Sequence, residues 1–253
     1  MTYFKINLDN IKGCGLTHQI QNLFTLIRYC YYQNYKLILP YFVLSGHHNN
    51  NKELPTNLTE YTDFNTLIIN GKKYNIIIDQ NIVNPEEQIV EIKRINSTYR
   101  MLNDYDLFKD LKWINITYDY TLKILEIGNN ISKLLDDYSF IHVRRTDRIT
   151  NMQINIDTQP LNILTNIQKC QLKNVYIATD EKIDFFSSLK KDTEFNIKFY
   201  NDFEILSKIK EQDNYFLFCI ENVIKRNAKK RVSTFKVPNK FYNYSLSEQN
   251  GWQ

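Results

Sequence analysis

"YFKINLDNIKGCGLTHQIQNLFTLIRYCYYQNYKLILP" occupies residues 3–40 and decides the fold class. Its first six residues, "YFKINL", read as a strand. Lys12, Gly13, Cys14 and Gly15 follow as a short loop. Leu16, Ile20, Leu23, Phe24, Ile27 and Tyr31 then recur at helical spacing, one apolar face over about four turns. "YKLILP" (35–40) is the next strand, stopped by proline. Strand, loop, helix, strand is the unit from which parallel sheets are built.

The same alternation returns further along. "SFIHVR" reads as a strand, "PLNILTNIQKC" as a helix and "NVYIATD" as a strand. "EKIDFFSSLKK" reads as a helix, "FNIKFY" as a strand and "YFLFCIENVIKRNAKK" as a long helix leading into "RVSTF". Between the two halves, 46–64 is polar and loop-like. "NTLIINGKKYNIII" predicts a hairpin turning at Asn70-Gly71, and 118–135 predicts a helix weakened by Gly128. Residues 84–117 show no period that places them. The expected fold is therefore α/β with two Rossmann-like domains, residues 1–130 and 131–253, facing across a cleft. Ligands in such sheets sit at the carboxyl ends of the strands.

Bulk properties exclude several classes. A chain of 253 residues, 43% of them hydrophobic, is long enough for two ordinary cores. Net charge is only +4, with the basic residues spread out, which argues against a nucleic-acid partner. No apolar run approaches the roughly 20 residues of a membrane span. The N-terminus lacks a signal-peptide layout, so the expected location is cytoplasmic. Cys14, Cys30, Cys170 and Cys219 form no Cys-x-x-Cys pair. They read as buried thiols rather than a zinc or redox site.

Four stretches carry chemistry. In "KGCGLTHQ", Gly13 and Gly15 let backbone approach a ligand at a helix N-terminus, where anions are favoured. A plain tight turn fits the pattern equally, since Thr17 and His18 stand where a dinucleotide loop has its third glycine. In "HVRRTDR", His142 and Arg144 share one side of the strand, and Val143 and Arg145 the other. Val143 suits a core, so the His142 and Arg144 side suits a cleft, where guanidinium matches phosphate. Solvated arginines bridged to Asp147 are the alternative. "NVYIATDE" reads as helix capping through Thr179 or Asp180. Ser233 and Thr234 in "RVSTF" suit phosphate oxygens or a turn. No DxD-like acidic pair marks a metal site, so no metal and no cofactor is expected.

Taken together, "KGCG…Q", "HVRRTD", "YIATD" and "STF" resemble the GDP-fucose-dependent fucosyltransferases, most closely the α1,6 enzymes acting on N-glycan cores and chito-oligosaccharides. The match covers 11–40 and 140–235; residues 41–117 match nothing. The resemblance implies a GT-B-like fold and an inverting, metal-independent transfer of fucose, or a related sugar, from a GDP-sugar to a glycan hydroxyl. Residues 1–130 would be the acceptor side and 131–253 would bind the nucleotide sugar and carry a C-terminal tail. It also implies that Arg144 holds the diphosphate with Arg145 in support. His142 and Asp180 would shape the pocket, and Ser233, Thr234 and Phe235 would form the loop beneath it. Glu221, thirteen residues before Thr234, would read guanine. A carboxylate can accept from guanine N1–H and N2–H together. The acidic residue that assists acceptor deprotonation in the family is Met152 here, which leaves His18 and Asp157 as candidate bases. A protein O-fucosyltransferase, an α1,2-fucosyltransferase or an inactive nucleotide-sugar binder remain open as alternatives.

Overall fold

A computed structural model describes residues 2–6, 15–75, 77–78, 88–92, 102, 106–108, 110–146, 149–191 and 194–233. Gly13, Asp147, Thr234 and Phe235 lie outside the described residues. The chain divides into two compact units, Met1–Ile124 with Asp213–Phe216, and Leu125–Gln212 with Leu217–Gln253.

The first unit is built on β1 (Thr2–Ile6), α1 (Leu16–Gln33) and β2 (Lys36–Ile38), as the opening stretch predicts. Then come β3 (Phe42–Leu44), β4 (Leu54–Thr56), β5 (Thr62–Ile69), β6 (Lys72–Lys73), β7 (Ile77–Ile78), β8 (Gln88–Ile92) and β9 (Ile116–Tyr120). Strands β7, β2, β1 and β8 lie side by side in that order, all parallel. Numbered within that sheet by chain position, the order is third, second, first, fourth. The helix α1 buries more than its predicted face. Leu26, Cys30, Gln19, Asn22 and Thr25 also turn inward. The inward amides are paired: Asn22 donates to Gln19 Oε1 at 3.1 Å, and the Leu102 backbone N–H donates to Asn22 Oδ1 at 3.0 Å. Asn34 ends the helix in the left-handed region at φ 57°.

The hairpin at Asn70-Gly71 forms, with Ile69 opposite Lys72 and both turn residues at positive φ, 48° and 78°. Its second arm then leaves to join β2 as β7. The loop-like stretch after residue 46 contains β4, paired antiparallel with β3. The helix predicted from residue 118 starts later. Tyr118 and Tyr120 belong to β9, which pairs antiparallel with β5, Thr62 opposite Tyr120.

The second unit holds most of α2 (Leu122–Leu135), then β10 (Ser139–Val143), α3 (Met152–Asp157), α4 (Pro160–Lys169), β11 (Asn174–Thr179) and β12 (Asn196–Lys198). Helices α5 (Glu204–Gln212) and α6 (Asn214–Asn227) precede β13 (Lys230–Ser233). The sheet order is β12, β11, β10, β13, again all parallel and again third, second, first, fourth. Ile141, Val143, Val175, Ile177 and Val232 pack with Ile163, Ile167, Phe186 and Leu189 in its core. Covered strands of this kind read as nearly continuous apolar runs. The stretch expected as a helix after "NVYIATDE" is a 3-10 helix, Ile183–Lys191. Its buried residues, Phe186 and Leu189, are three apart, which is the 3-10 repeat. Gly128 does not weaken α2 so much as fit it. A Cβ there would lie 2.6 Å from Val223 Cβ on α6. Among the described residues, no helix is long and apolar enough to cross a membrane. Cys30, Cys170 and Cys219 are free thiols, with Cys30 and Cys219 buried.

Candidate functional site

In a parallel sheet whose first strand has the second on one side and the fourth on the other, the strand order reverses beside that first strand. The connections diverge there and leave a crevice at the carboxyl edge. In the second unit this point lies between β10 and β13. The register brings the relevant residues to one edge: Val143 faces Thr179 on β11, and His142 faces Ser233 on β13. The carboxyl ends of β10, β11 and β13 therefore share one edge.

The two arginines of the motif have different environments. Arg145 is 5% exposed. Its Nη1 donates to Thr158 Oγ1 at 2.5 Å and to the Asn155 carbonyl at 3.3 Å, and its Nη2 to Asn155 Oδ1 at 3.1 Å. Nε lies 3.5 Å from Glu181 Oε2, and the guanidinium carbon stands 4.2 Å from the Phe185 ring centroid. Both terminal nitrogens bond protein groups, while Nε, buried without a hydrogen bond, keeps only its ion pair with Glu181. Arg145 thus ties α3 and the 3-10 stretch to the end of β10. Support of Arg144 from this position is indirect, through the turn the two residues share. Strand alternation turns Arg144 the other way, and its side chain is half-buried at the carboxyl edge.

Asp180 braces the same turn. Its Oδ1 accepts from the Arg145 backbone N–H at 2.7 Å, and its Oδ2 from the Thr146 hydroxyl at 2.6 Å. The helix-cap reading of this carboxylate gives way to a bracket across two strand ends. It is Thr179 that bonds forward, accepting from the Glu181 backbone N–H at 3.1 Å. The bracket fixes the backbone that carries Arg144.

A polar cluster continues from this edge. Burial, with Lys225 and Arg144 nearby, holds His142 down at about 4, while Asp180 pulls the other way. His142 is therefore a neutral imidazole at ordinary pH, able to donate and accept. Glu221, on α6, accepts from the Tyr176 hydroxyl at 3.0 Å. Burial pushes its carboxyl up to about 7, against the opposing pull of that hydroxyl and of Lys210. Burial also lowers Lys210, while Glu221 and Asp180 hold it up, so the ammonium senses both carboxylates. Burial and then Glu221 raise the Tyr200 phenol. Tyr176, Tyr200 and Lys210 are additions to the expected site. Tyr176 lies within "YIATD", but its partner is 45 residues away. Lys210 sits on a helix that no apolar period announced.

Gly15 and His18 are in the first unit. Gly15 precedes α1 with φ −72° and ψ 169°, angles any residue adopts, and no side chain caps the helix. A Cβ on it would make ordinary contacts, His48 Cδ2 at 3.7 Å and Tyr215 Oη at 3.8 Å. Neither conformation nor packing demands glycine at this position. His18 is half-buried in the first helical turn. His48 stands over Gly15 on a turn that Asn214 and Tyr215 hold, by bonds to the His48 carbonyl at 2.6 Å and the Ser45 carbonyl at 2.8 Å. Asp157 is in the second unit, 9% exposed at the end of α3 beside Thr158. Among the described residues, no three His, Cys, Asp or Glu side chains gather as a metal site.

No protein-family model matches the chain, and no curated protein matches it. A solved structure of POFUT1 in complex with GDP superposes with a TM-score of 0.45 at 10% identity, over 94% of this chain and 96% of that one. At that level the likeness decides neither fold nor chemistry.

Proposed function

We propose that the protein transfers fucose, or a related sugar, from a GDP-sugar to a glycan hydroxyl. The observation that carries this reading is the position of Arg144. It leaves the first strand of a third-second-first-fourth parallel sheet at the point where ligands bind, on a turn braced by Asp180 and by buried Arg145. In the reaction the bond from the sugar's anomeric carbon to the β-phosphate oxygen breaks. Negative charge collects on the departing diphosphate while the sugar takes on oxocarbenium character. A fixed guanidinium is then worth about 3–4 kcal/mol in the transition state. The acceptor attacks from the opposite face, giving inversion, and Arg144 makes a metal unnecessary. Glu221 selects guanine by accepting from N1–H and N2–H, with Tyr176 orienting the carboxylate. His18 and Asp157 are the candidate bases, and a positioned base contributes roughly 10²–10⁴-fold.

A second reading has one observation in its favour. Met152 stands where the resemblance implies an acid, and it is 78% exposed with no proton to accept or give. A nucleotide-sugar binder that has lost catalysis would look the same at this position. A protein O-fucosyltransferase or an α1,2 enzyme would share the donor chemistry. The test is calorimetric titration of GDP with and without EDTA, followed by assay of GDP release from GDP-fucose. GDP should bind equally in both buffers, and release should exceed the uncatalysed rate. Binding that disappears on chelation would overturn the metal-free mechanism. Binding without release, even with glycan acceptors supplied, would select the inactive binder.

A further inference from the structure

The first unit contains a cavity of about 360 Å³ apart from the candidate site. It opens between α1 and residues 108 and 110–113, and Thr25, Arg28, Phe108, Asp110, Lys112 and Trp113 line it. Small-molecule sites run from roughly 300 to 1,000 Å³, so one ring fits. Trp113 is 62% exposed, a large apolar plane left to water. Arg28 is half-buried, and its Nε donates to the Ile114 carbonyl at 2.9 Å. A guanidinium has five N–H donors, and Ile114 supplies its one acceptor among the described residues. Asp110 is exposed on a turn in the left-handed region, φ 63°.

A line of rings continues from Arg28. Its guanidinium carbon is 5.9 Å from the Phe24 centroid. Phe24 meets Tyr118 edge-on at 5.2 Å, and Tyr118 meets Tyr120 at 6.4 Å. All three are only half-buried.

This lining discriminates between ligands. Phosphate or sulfate asks for donors alone, and the Asp110 carboxylate opposes it. A purely apolar ring would leave Arg28, Asp110 and Lys112 without a use. A pyranose has hydroxyls that both donate and accept, and a C–H face that packs on an exposed indole. We propose that the cavity is a saccharide-binding site. Trp113 stacks on a neutral pyranose, Arg28 and Asp110 bond its hydroxyls, and Phe24, Tyr118 and Tyr120 form a track for the next sugar of an oligosaccharide. This goes beyond the nucleotide-sugar reading and does not rest on it.

The chain has two tryptophans, Trp113 and Trp252, so Trp252→Phe leaves Trp113 as the sole indole reporter. This protein is titrated with maltotriose, cellotriose and triacetylchitotriose to about 10 mM, which reads dissociation constants as weak as millimolar. Sodium phosphate is titrated in parallel, and GDP binding is measured calorimetrically on the same preparation. At least one sugar should give a saturable change in Trp113 emission. Asp110→Asn should weaken it by about tenfold, as loss of a charge-assisted hydrogen bond does, with melting temperature and GDP binding unchanged. Saturation by none of the sugars, saturation by phosphate, or undiminished binding in Asp110→Asn would each overturn the proposal. A protein that binds sugar but not GDP would leave this site standing and remove the donor reading; the reverse would do the opposite.

Discussion

If Glu221 reads guanine, it must do so as a carboxylate, yet its carboxyl titrates at about 7 in the free protein. Binding should therefore depend on pH across the neutral range. Below its pKa the ionised fraction falls about tenfold per pH unit, so between pH 8 and pH 6 this group alone should weaken GDP by about tenfold, or 1.4 kcal/mol. Burial sets that value, against the opposing pull of the Tyr176 hydroxyl on β11 and of Lys210 on α5. GDP's own phosphate also titrates near pH 6, so the parent is compared with Glu221→Gln, where that contribution is common to both. At pH 8 the substitution should cost roughly 1–3 kcal/mol of binding, because an amide N–H would face the guanine donors. The difference should shrink as the pH falls toward 5.5 and the parent's carboxyl protonates. Stability should move the opposite way. The folded-state pKa is raised from the ordinary 4.5 to about 7, so the contribution to stability is complete below pH 4.5 and lost as pH rises through 7. Full burial would make this loss about 3 kcal/mol; partial access to water makes it less. Ligand-free Glu221→Gln should therefore melt higher than the parent at pH 8 and with it near pH 4.5. Calorimetry and thermal melts over pH 5.5–8 measure both effects. Parallel binding profiles for parent and variant would refute the assignment of Glu221 to guanine.

Three further outcomes are expected. Arg144→Ala should fold normally and lower GDP-fucose turnover by about 10²-fold or more at saturating donor, and Arg144→Lys should stay impaired because the planar fork is gone; full activity in the alanine variant would remove the centre of the mechanism. Arg145→Ala should act on stability, lowering unfolding free energy by roughly 2–3 kcal/mol through lost charge-assisted bonds to Asn155 and Thr158, and urea denaturation that shows no change would contradict the positioning role. Gly128→Ala gains about 1 kcal/mol in helix propensity but places a methyl 2.6 Å from Val223, where overpacking costs about 1–3 kcal/mol, so the variant should melt lower than the parent.

The legible parts of this chain are those where local pattern and long-range packing agree. The stretch 3–40 announces its parallel unit because strand, loop and helix each carry a local signal, and the sheet only has to collect them. Strand alternation likewise separates Arg144 from Arg145, since Val143 fixes which side is core. Tyr118 and Tyr120 mislead because two tyrosines at even spacing before a true helix suit either structure. Their strand partner lies in β5, more than fifty residues away, where no local window reaches. Helix α3 hides for a different reason. It is six residues long, and Met152 and Ile156 on it stay exposed, so no buried stripe marks it. Yet α3 and Thr158 supply three of the hydrogen bonds that hold Arg145. The candidate site therefore has two kinds of residue. Those proposed to meet the ligand, Arg144 and Glu221, stand out by chemical type or by resemblance. Those that hold them, Asn155, Thr158, Asp180 and Tyr176, are uncharged or pass as caps and core, and only the fold shows what they touch. A variant of Thr158 should therefore disturb turnover through the turn at Arg145 without bearing any mark of a site in the sequence.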